Sequence, residues 1–562
     1  MKKLFVYRVK SNKIWNVLKI KYFQMLGYQV YIWGEHDLPI QNLTPIVFPS
    51  AINSVNYEHA SRALSATYFE KFANFWSGNI FRLDYVRKSI DIGALDYFAF
   101  EKTISKLINP DDDVKKVIPS LLGAIHANVR PPKNYGLFLY YLLSIVKLTL
   151  IFCRDLWFCV TSKASITVPS ILYLRKKVQP DNGECSYFCS ALNDDSTNSI
   201  LGMYPFSGKQ EKQFGFYFFS SFRGSTNRLI KSYWSSLLQS FDDMNFYFRN
   251  GVDNSIFGQC ITDTFVAKNV VSLPSSIIMG VLVDKPLHIL MAKYKDENIK
   301  IMSMNESFFF PPNRSFDFNH LDQYFSMNDI DEKMQNKYGG NIKSFEQVEF
   351  FRQGGNQSKG ISSDLSRVLA AFKYKIVIAP AQVFVEETGF YYWAYDEMES
   401  FLKASLALAV NLPDTLFIVK GKKGELRRLP EWFQNLEKLS SNIFVIHCDK
   451  PKELEYNRFE DLIDVSDLMV SMALTSTTIW QSIARNKPAI AINRTDSPSP
   501  LAAHKGYECD LSGLYESILY WRTLTSEEIY ESTENMKQIF NIGKCNGLAQ
   551  VVSNLQKHLN LM

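Results

Sequence analysis

The chain has 562 residues, 46% hydrophobic and 21% charged, with a formal net charge of +5. At about 100–200 residues per domain this length predicts more than one domain, and the composition excludes a disordered chain. So small a charge, with no dense basic stripe, gives no case for nucleic acid as a partner.

The eight cysteines (153, 159, 185, 189, 260, 448, 509 and 545) are scattered without paired metal spacing and read as reduced core residues. No metal is expected. The N-terminus, MKKLFVYRVKSNKIW, has no continuous apolar core or cleavage site and reads as a first strand; a cytoplasmic protein is expected.

Leu4 to Val9 predict a strand, Lys13 to Leu26 an amphipathic helix and Tyr28 to Trp33 a second strand, the usual opening of a doubly wound α/β domain. The loop Lys10–Lys13 lacks the glycine-rich dinucleotide fingerprint, so no nicotinamide or flavin cofactor is expected. Tyr57 to Ile125 read as helical, with Pro110–Asp113 a helix start or a turn. Residues 137–153, LFLYYLLSIVKLTLIFC, are the most apolar run, with Lys147 near the middle and Arg154 after it. A charge at the bilayer centre costs about 2.5–3.5 kcal/mol, which disfavours a single crossing. Ahead of a crossing stand a buried helix and one that meets the inner membrane sidewise through residues 137–160.

Phe214 to Phe219 predict a strand, Arg228 to Gln239 a helix and Asn245 to Arg249 a further strand. Val266 to Leu290 read as strand, Pro-Ser-Ser, helix, Lys-Pro and strand. Residues 311–365, rich in Asn, Asp, Ser and Gly, read as the interdomain boundary. The expected division is an N-terminal domain 1–340 with a helical insertion at about 57–200, a linker 341–364 and a C-terminal domain 365–562.

In the C-terminal part strands are expected at Lys375–Ala379, Thr415–Val419, Ile443–His447, Leu468–Met472 and Ala489–Ile492, alternating with helices. Between the last two strands Thr475, Ser476, Thr477 and Thr478 present four hydroxyls where a helix opens. Such a terminus favours an anion, and it is expected at the carboxyl end of a parallel strand, where open α/β sheets take ligands. The plainer alternative is that the four only cap the helix.

The run of aspartate, apolar strand, S-M-x-x-T-S, helix, K-P and apolar strand resembles the carboxyl-terminal domain of GT-B glycosyltransferases. It is most similar to the bacterial polysaccharide-biosynthesis proteins named for a P-F-T-S motif, although Ala473-Leu474 replace Pro-Phe here. The resemblance covers about residues 375–525 and implies two Rossmann-like domains facing across a cleft. It also implies a metal-independent sugar transfer from a nucleotide sugar, CMP- or UDP-linked, to a glycan or glycolipid acceptor of a bacterial surface polysaccharide. A sugar-nucleotide epimerase of the same fold is the alternative among enzymes. A non-catalytic assembly protein, suggested by the lost Pro-Phe, is the alternative outside them.

Lys420, Lys422 and Lys423 end a buried strand on a glycine-bracketed turn and are candidates to hold the donor phosphates beside Thr475–Thr478. A solvated basic turn would carry the same residues. Glu386 and Glu387 are candidates for the base that deprotonates an acceptor hydroxyl, and His447 a candidate donor contact. Adjacent glutamates on a loop and a histidine after a strand are also ordinary structural residues.

Overall fold

In the computed structural model the described residues are 3–8, 14–33, 43–45, 113–117, 135–161, 171–174, 201–202, 217–218, 226–250, 265, 277–281, 300–304, 319–338, 340–349, 360–380, 395–420, 440–446, 456–472, 477–493, 500–543 and 547–560. The protein is α/β, and its described sheets are parallel.

The first sheet holds β1 (Lys3–Arg8), β2 (Gln29–Trp33), β3 (Leu43–Pro45) and β4 (Asp113–Val117) in the order β3-β2-β1-β4. Helix α1 (Ile14–Met25) joins β1 to β2 and stacks Phe23 on buried Phe5 at 3.8 Å. It ends at Gly27, whose φ of +79° lets its N–H and that of Tyr28 turn back onto the Gln24 and Phe23 carbonyls. Asp113 therefore opens a strand, where the sequence pattern had a helix start or a turn.

Helix α2 (Tyr135–Thr161) contains the most apolar run and precedes β5 (Ile171–Leu174). Two short strands, β6 (Leu201–Gly202) and β7 (Tyr217–Phe218), form a separate pair ahead of α3 (Thr226–Asn250). The expected strand Asn245–Arg249 is the last part of α3. Its aromatic residues favour strand locally, but extending a formed helix costs little and local β-propensity is a weak prior. Likewise the expected helix inside Val266–Leu290 is the strand β8 (Ile277–Val281), because this short β-branched run lies between two parallel neighbours. The expected helical insertion at 57–200 contributes strands too: β4 pairs with β1, and β5 with β8.

The second sheet continues with β9 (Lys300–Met304). Then come β10 (Asn319–Leu321), β11 (Gln323–Ser326), helix α4 (Asp329–Tyr338), β12 (Gly340–Ile342) and β13 (Phe345–Gln347). Its order is β13-β11-β9-β8-β5, while β10 pairs with β12. Strand structure thus runs to Gln347, into the segment expected as linker.

Helix α5 (Ser363–Leu369), capped by Ser362, leads into the third sheet. Its elements are β14 (Tyr374–Ala379), α6 (Tyr395–Asn411), β15 (Thr415–Lys420), β16 (Ile443–Ile446), α7 (Phe459–Val465), β17 (Leu468–Ser471), α8 (Thr477–Ala484), β18 (Ala489–Ile492) and β19 (Glu508–Cys509). Strands β15, β17 and β18 are buried throughout, which is why they read as unbroken apolar runs.

Three helices finish the described chain: α9 (Leu514–Thr523), α10 (Ser526–Ile539) and α11 (Gly547–Asn560). Thr525 and Glu528 form the capping box of α10. Trp480 of α8 packs on Phe540 at 4.8 Å. The helical tail packs on the second sheet: His558 bonds Gln323 at 2.9 Å, and Asn328 donates to the Phe540 carbonyl at 3.1 Å. One apolar cluster accordingly extends from Ile171 and Ile277 to Val551 and Leu555.

Candidate functional site

The third sheet has the order β16-β15-β14-β17-β18-β19, with every pairing parallel. Numbered within the sheet this is 3-2-1-4-5-6, the dinucleotide-fold order in which the chain reverses direction across the sheet between its first and fourth strands. Here that switch point lies between β14 and β17. The two strands stay joined to their last residues, where the Met472 amide donates to the Ala379 carbonyl at 3.2 Å. In open α/β sheets of this order, ligands take the crevice outside the carboxyl edge at that point.

Helix α8 follows β17, so its N-terminus is at this crevice. Thr477, its first residue, is half-buried and Thr478 is 9% exposed. The eight-residue helix brings the positive end of its dipole to the carboxyl edge of a central strand. It is held there by burial of Ile479, Trp480 and Ile483 and by Gln481, which donates to Glu460 at 3.1 Å. The helix ends at Asn486, which takes φ +55°, and Lys487-Pro488 returns the chain to β18.

Lys420 is the last residue of β15, two strands from β17, or about 10 Å across the sheet at the usual strand spacing. It is only 7% exposed. Its ammonium donates to the backbone carbonyl of Asn457 and lies 5.4 Å from the centre of the Phe459 ring. It therefore anchors the segment entering α7. Asn457 is held in turn at φ +54°. Its Oδ1 accepts from the Ser362 amide at 2.8 Å, its Nδ2 donates to Ser362 Oγ at 3.0 Å, and its own amide donates to the Gly360 carbonyl at 3.0 Å. The entries to α5 and α7 and the end of β15 are thus fastened to one asparagine.

Thr475 and Ser476 lie outside the described residues, as do Lys422, Lys423, His447, Glu386 and Glu387. In sequence each follows the carboxyl end of a strand: β14 for the two glutamates, β15 for the two lysines, β16 for His447 and β17 for the hydroxyl pair. Two residues not singled out in the sequence belong to the same edge. Asn493 directly follows β18 and donates to Glu508 Oε1 at 2.8 Å, while Glu508 Oε2 is buried with no hydrogen-bond partner among the described residues. The position of Asn493 immediately after a buried strand was the available signal.

At the opposite edge, Asp467 serves the sheet. It accepts from the Lys375 amide at 2.8 Å and returns its own amide to the Lys375 carbonyl at 2.9 Å, fixing the register of β14 on β17. Burial, reinforced by the Asp467 charge, raises the Tyr374 phenol above its ordinary value. Burial also pushes the Cys509 thiol up to about 11, so it stays protonated. Cys153, expected in a core, is exposed on α2. Among the described residues no cluster of His, Cys, Asp and Glu is arranged to hold a metal.

Fold and site together define an α/β protein with a Rossmann-order sheet and a helix N-terminus at its switch point. No protein-family model matches the chain, and no curated protein matches it. Among solved structures, it is similar to S. aureus MnaA in a co-structure with UDP at 11% identity and a TM-score of 0.43, covering 70% of this chain and 97% of that one. It is similar to the UDP-GlcNAc 2-epimerase of Neisseria meningitidis bound to UDP-GlcNAc at 11% identity and a TM-score of 0.40, covering 69% and 99%. It is also similar to Anabaena Alr3699/HepE in complex with UDP and glucose at 10% identity and a TM-score of 0.41, covering 70% and 100%.

Proposed function

We propose that the protein is a glycosyltransferase that moves a sugar from a nucleotide-sugar donor to a growing bacterial surface polysaccharide, without a metal. One observation carries this reading: the hydroxyl-rich segment that opens α8 follows a central strand of a 3-2-1-4-5-6 sheet and directs a helix N-terminus at the switch point. The donor phosphate is assigned to the amides and hydroxyls of Thr475–Thr478. In transfer, the bond from the anomeric carbon to the phosphate oxygen breaks and its electrons leave with the nucleotide. An acceptor hydroxyl forms the new bond and gives its proton to Glu386 or Glu387. Negative charge then grows on the leaving phosphate, where the helix N-terminus stabilises it most.

Lys422 and Lys423 are assigned as supplementary cations and His447 as a donor contact. Lys420 has a positioning role, because its ammonium holds the Asn457 carbonyl. The test is incubation of the protein with CMP- and UDP-sugars, with and without a chelator and a polysaccharide-fragment acceptor. Nucleotide released only when acceptor is present, chelator or not, is the expected result. Interconversion of the donor sugar would make the protein an epimerase, and absence of nucleotide binding by calorimetry would make it a non-catalytic assembly protein.

A further inference from the structure

Helix α2 is amphipathic in an inverted sense. The side chains it turns inward are Ser144, Leu148 and Asp155, all buried, and Phe152, which stacks on Tyr233 of α3 at 4.1 Å. Thr149 Oγ1 and the Tyr233 hydroxyl, 3.0 Å apart, add a hydrogen bond between the two helices. Outward, Leu143, Val146, Leu150, Trp157 and Val160 are exposed by 57%, 51%, 64%, 68% and 72%. These positions recur at helical spacing on one face, with exposed Cys153 among them, and run about 26 Å along the helix. No charged residue interrupts the stripe. Lys147 and Arg154, seven residues apart, follow one of its borders, and the acidic residue nearby, Asp155, is buried against Arg154 at 2.9 Å. Helix α3 shows the same character, with Trp234, Leu238 and Phe241 exposed and Lys231 exposed on the turn before them.

A water-facing helix places such residues inward, and a continuous exposed apolar stripe marks a surface that something else covers. We infer that α2 and α3 dock the protein sidewise on an anionic membrane surface, with the Leu143–Val160 stripe and the Trp234–Phe241 face in the acyl boundary. The basic border then meets lipid phosphates. The chemistry discriminates between occupants. A second copy of this face would set Lys147 and Lys231 against one another, whereas an anionic lipid surface complements them, and tryptophan favours the water–lipid interface. Among the described residues no helix is long and apolar enough to cross a membrane, so the stripe lies along the surface. This inference is independent of the transferase reading.

The test is co-sedimentation of the full chain with vesicles of phosphatidylglycerol and phosphatidylcholine in equal parts, alongside vesicles of phosphatidylcholine alone. Binding to the anionic vesicles that weakens with salt is expected. Lys147→Glu/Lys231→Glu should lower partitioning by about fivefold or more per site. Leu150→Gln/Trp157→Ser should lower it by at least about tenfold in both lipids. All four positions are exposed, so the variants should keep the parent's circular dichroism and thermal midpoint. Equal binding by parent and variants, or no binding by the parent, overturns the inference. So does a dimer that Leu150→Gln/Trp157→Ser converts to monomer while the parent ignores vesicles. Resistance of the native protein to alkaline carbonate extraction from cell membranes would indicate a crossing and would overturn it too.

Discussion

Replacing Asn457 tests the anchorage of the carboxyl edge directly. The residue has φ +54° and makes two side-chain hydrogen bonds to Ser362, at 2.8 and 3.0 Å, while its carbonyl accepts from Lys420. Asn457→Ala deletes both side-chain bonds, at about 1 kcal/mol each. It also puts a Cβ residue without local hydrogen bonding into the left-handed region, at about 1–2 kcal/mol. The sum is about 3 kcal/mol, which for a unit of 150–250 residues lowers the thermal midpoint by about 6–12 °C. Asn457→Gly loses the same two bonds but takes the backbone angle freely, so about 2.5 kcal/mol is expected, the two bonds plus about 0.5 kcal/mol for glycine's unfolded-state entropy. Differential scanning calorimetry of the three proteins reads both numbers. A shift under about 2 °C for Asn457→Ala would show that Ser362 and Asn457 are not holding this edge. A glycine variant as unstable as the alanine variant would refute the backbone part of the argument.

Lys420→Met should lower stability and weaken nucleotide binding together, and in a double-mutant cycle with Asn457→Ala its stability effect should be non-additive by at least about 0.5 kcal/mol; strict additivity would separate the two residues. Ser476→Ala leaves the backbone amides in place and should weaken donor binding by only about two- to tenfold in calorimetry, and unchanged affinity would reduce the hydroxyl cluster to a helix cap. Burial and the neighbouring Lys300 ammonium hold His558 below its ordinary 6.5, so the unfolded chain takes up a proton that the folded one refuses. Stability from this group is complete above pH 6.5 and is lost as pH falls below it, and His558→Gln should flatten the dependence of the denaturation midpoint in that range. Gly506→Ala should destabilise the fold more than Gly27→Ala. Both glycines have positive φ, but a Cβ on Gly506 would sit 2.7 Å from Tyr520 Cδ1 and 2.9 Å from Trp521 Nε1, whereas Gly27 has open space. Equal thermal midpoints for the two variants would contradict the packing.

By itself the sequence determined five of the six strands of the third sheet, all but the two-residue β19. Leu416–Val419, Leu468–Ser471 and Ala489–Ile492 are buried on both faces of a parallel sheet, so their apolar runs are unbroken, and Lys487-Pro488 and the hydroxyls at Thr475–Thr478 punctuate them. The first βαβ unit was legible for the same reason, with Gly27 marking the end of its helix. Local pattern failed where a segment's partner decided its state. Ile277–Val281 became a strand because β5 and β9 flank it, and Asn245–Arg249 stayed helical as the extension of α3. Strand order was also beyond the sequence, since pairing between β14 and β17 joins residues about ninety positions apart. Only that pairing makes β14/β17 the switch point and puts the N-terminus of α8 there. Lys420 shows the same division. Its place at the end of a buried strand was readable, but its burial against Asn457 and Phe459 depends on a chain segment that tertiary packing alone brings to it.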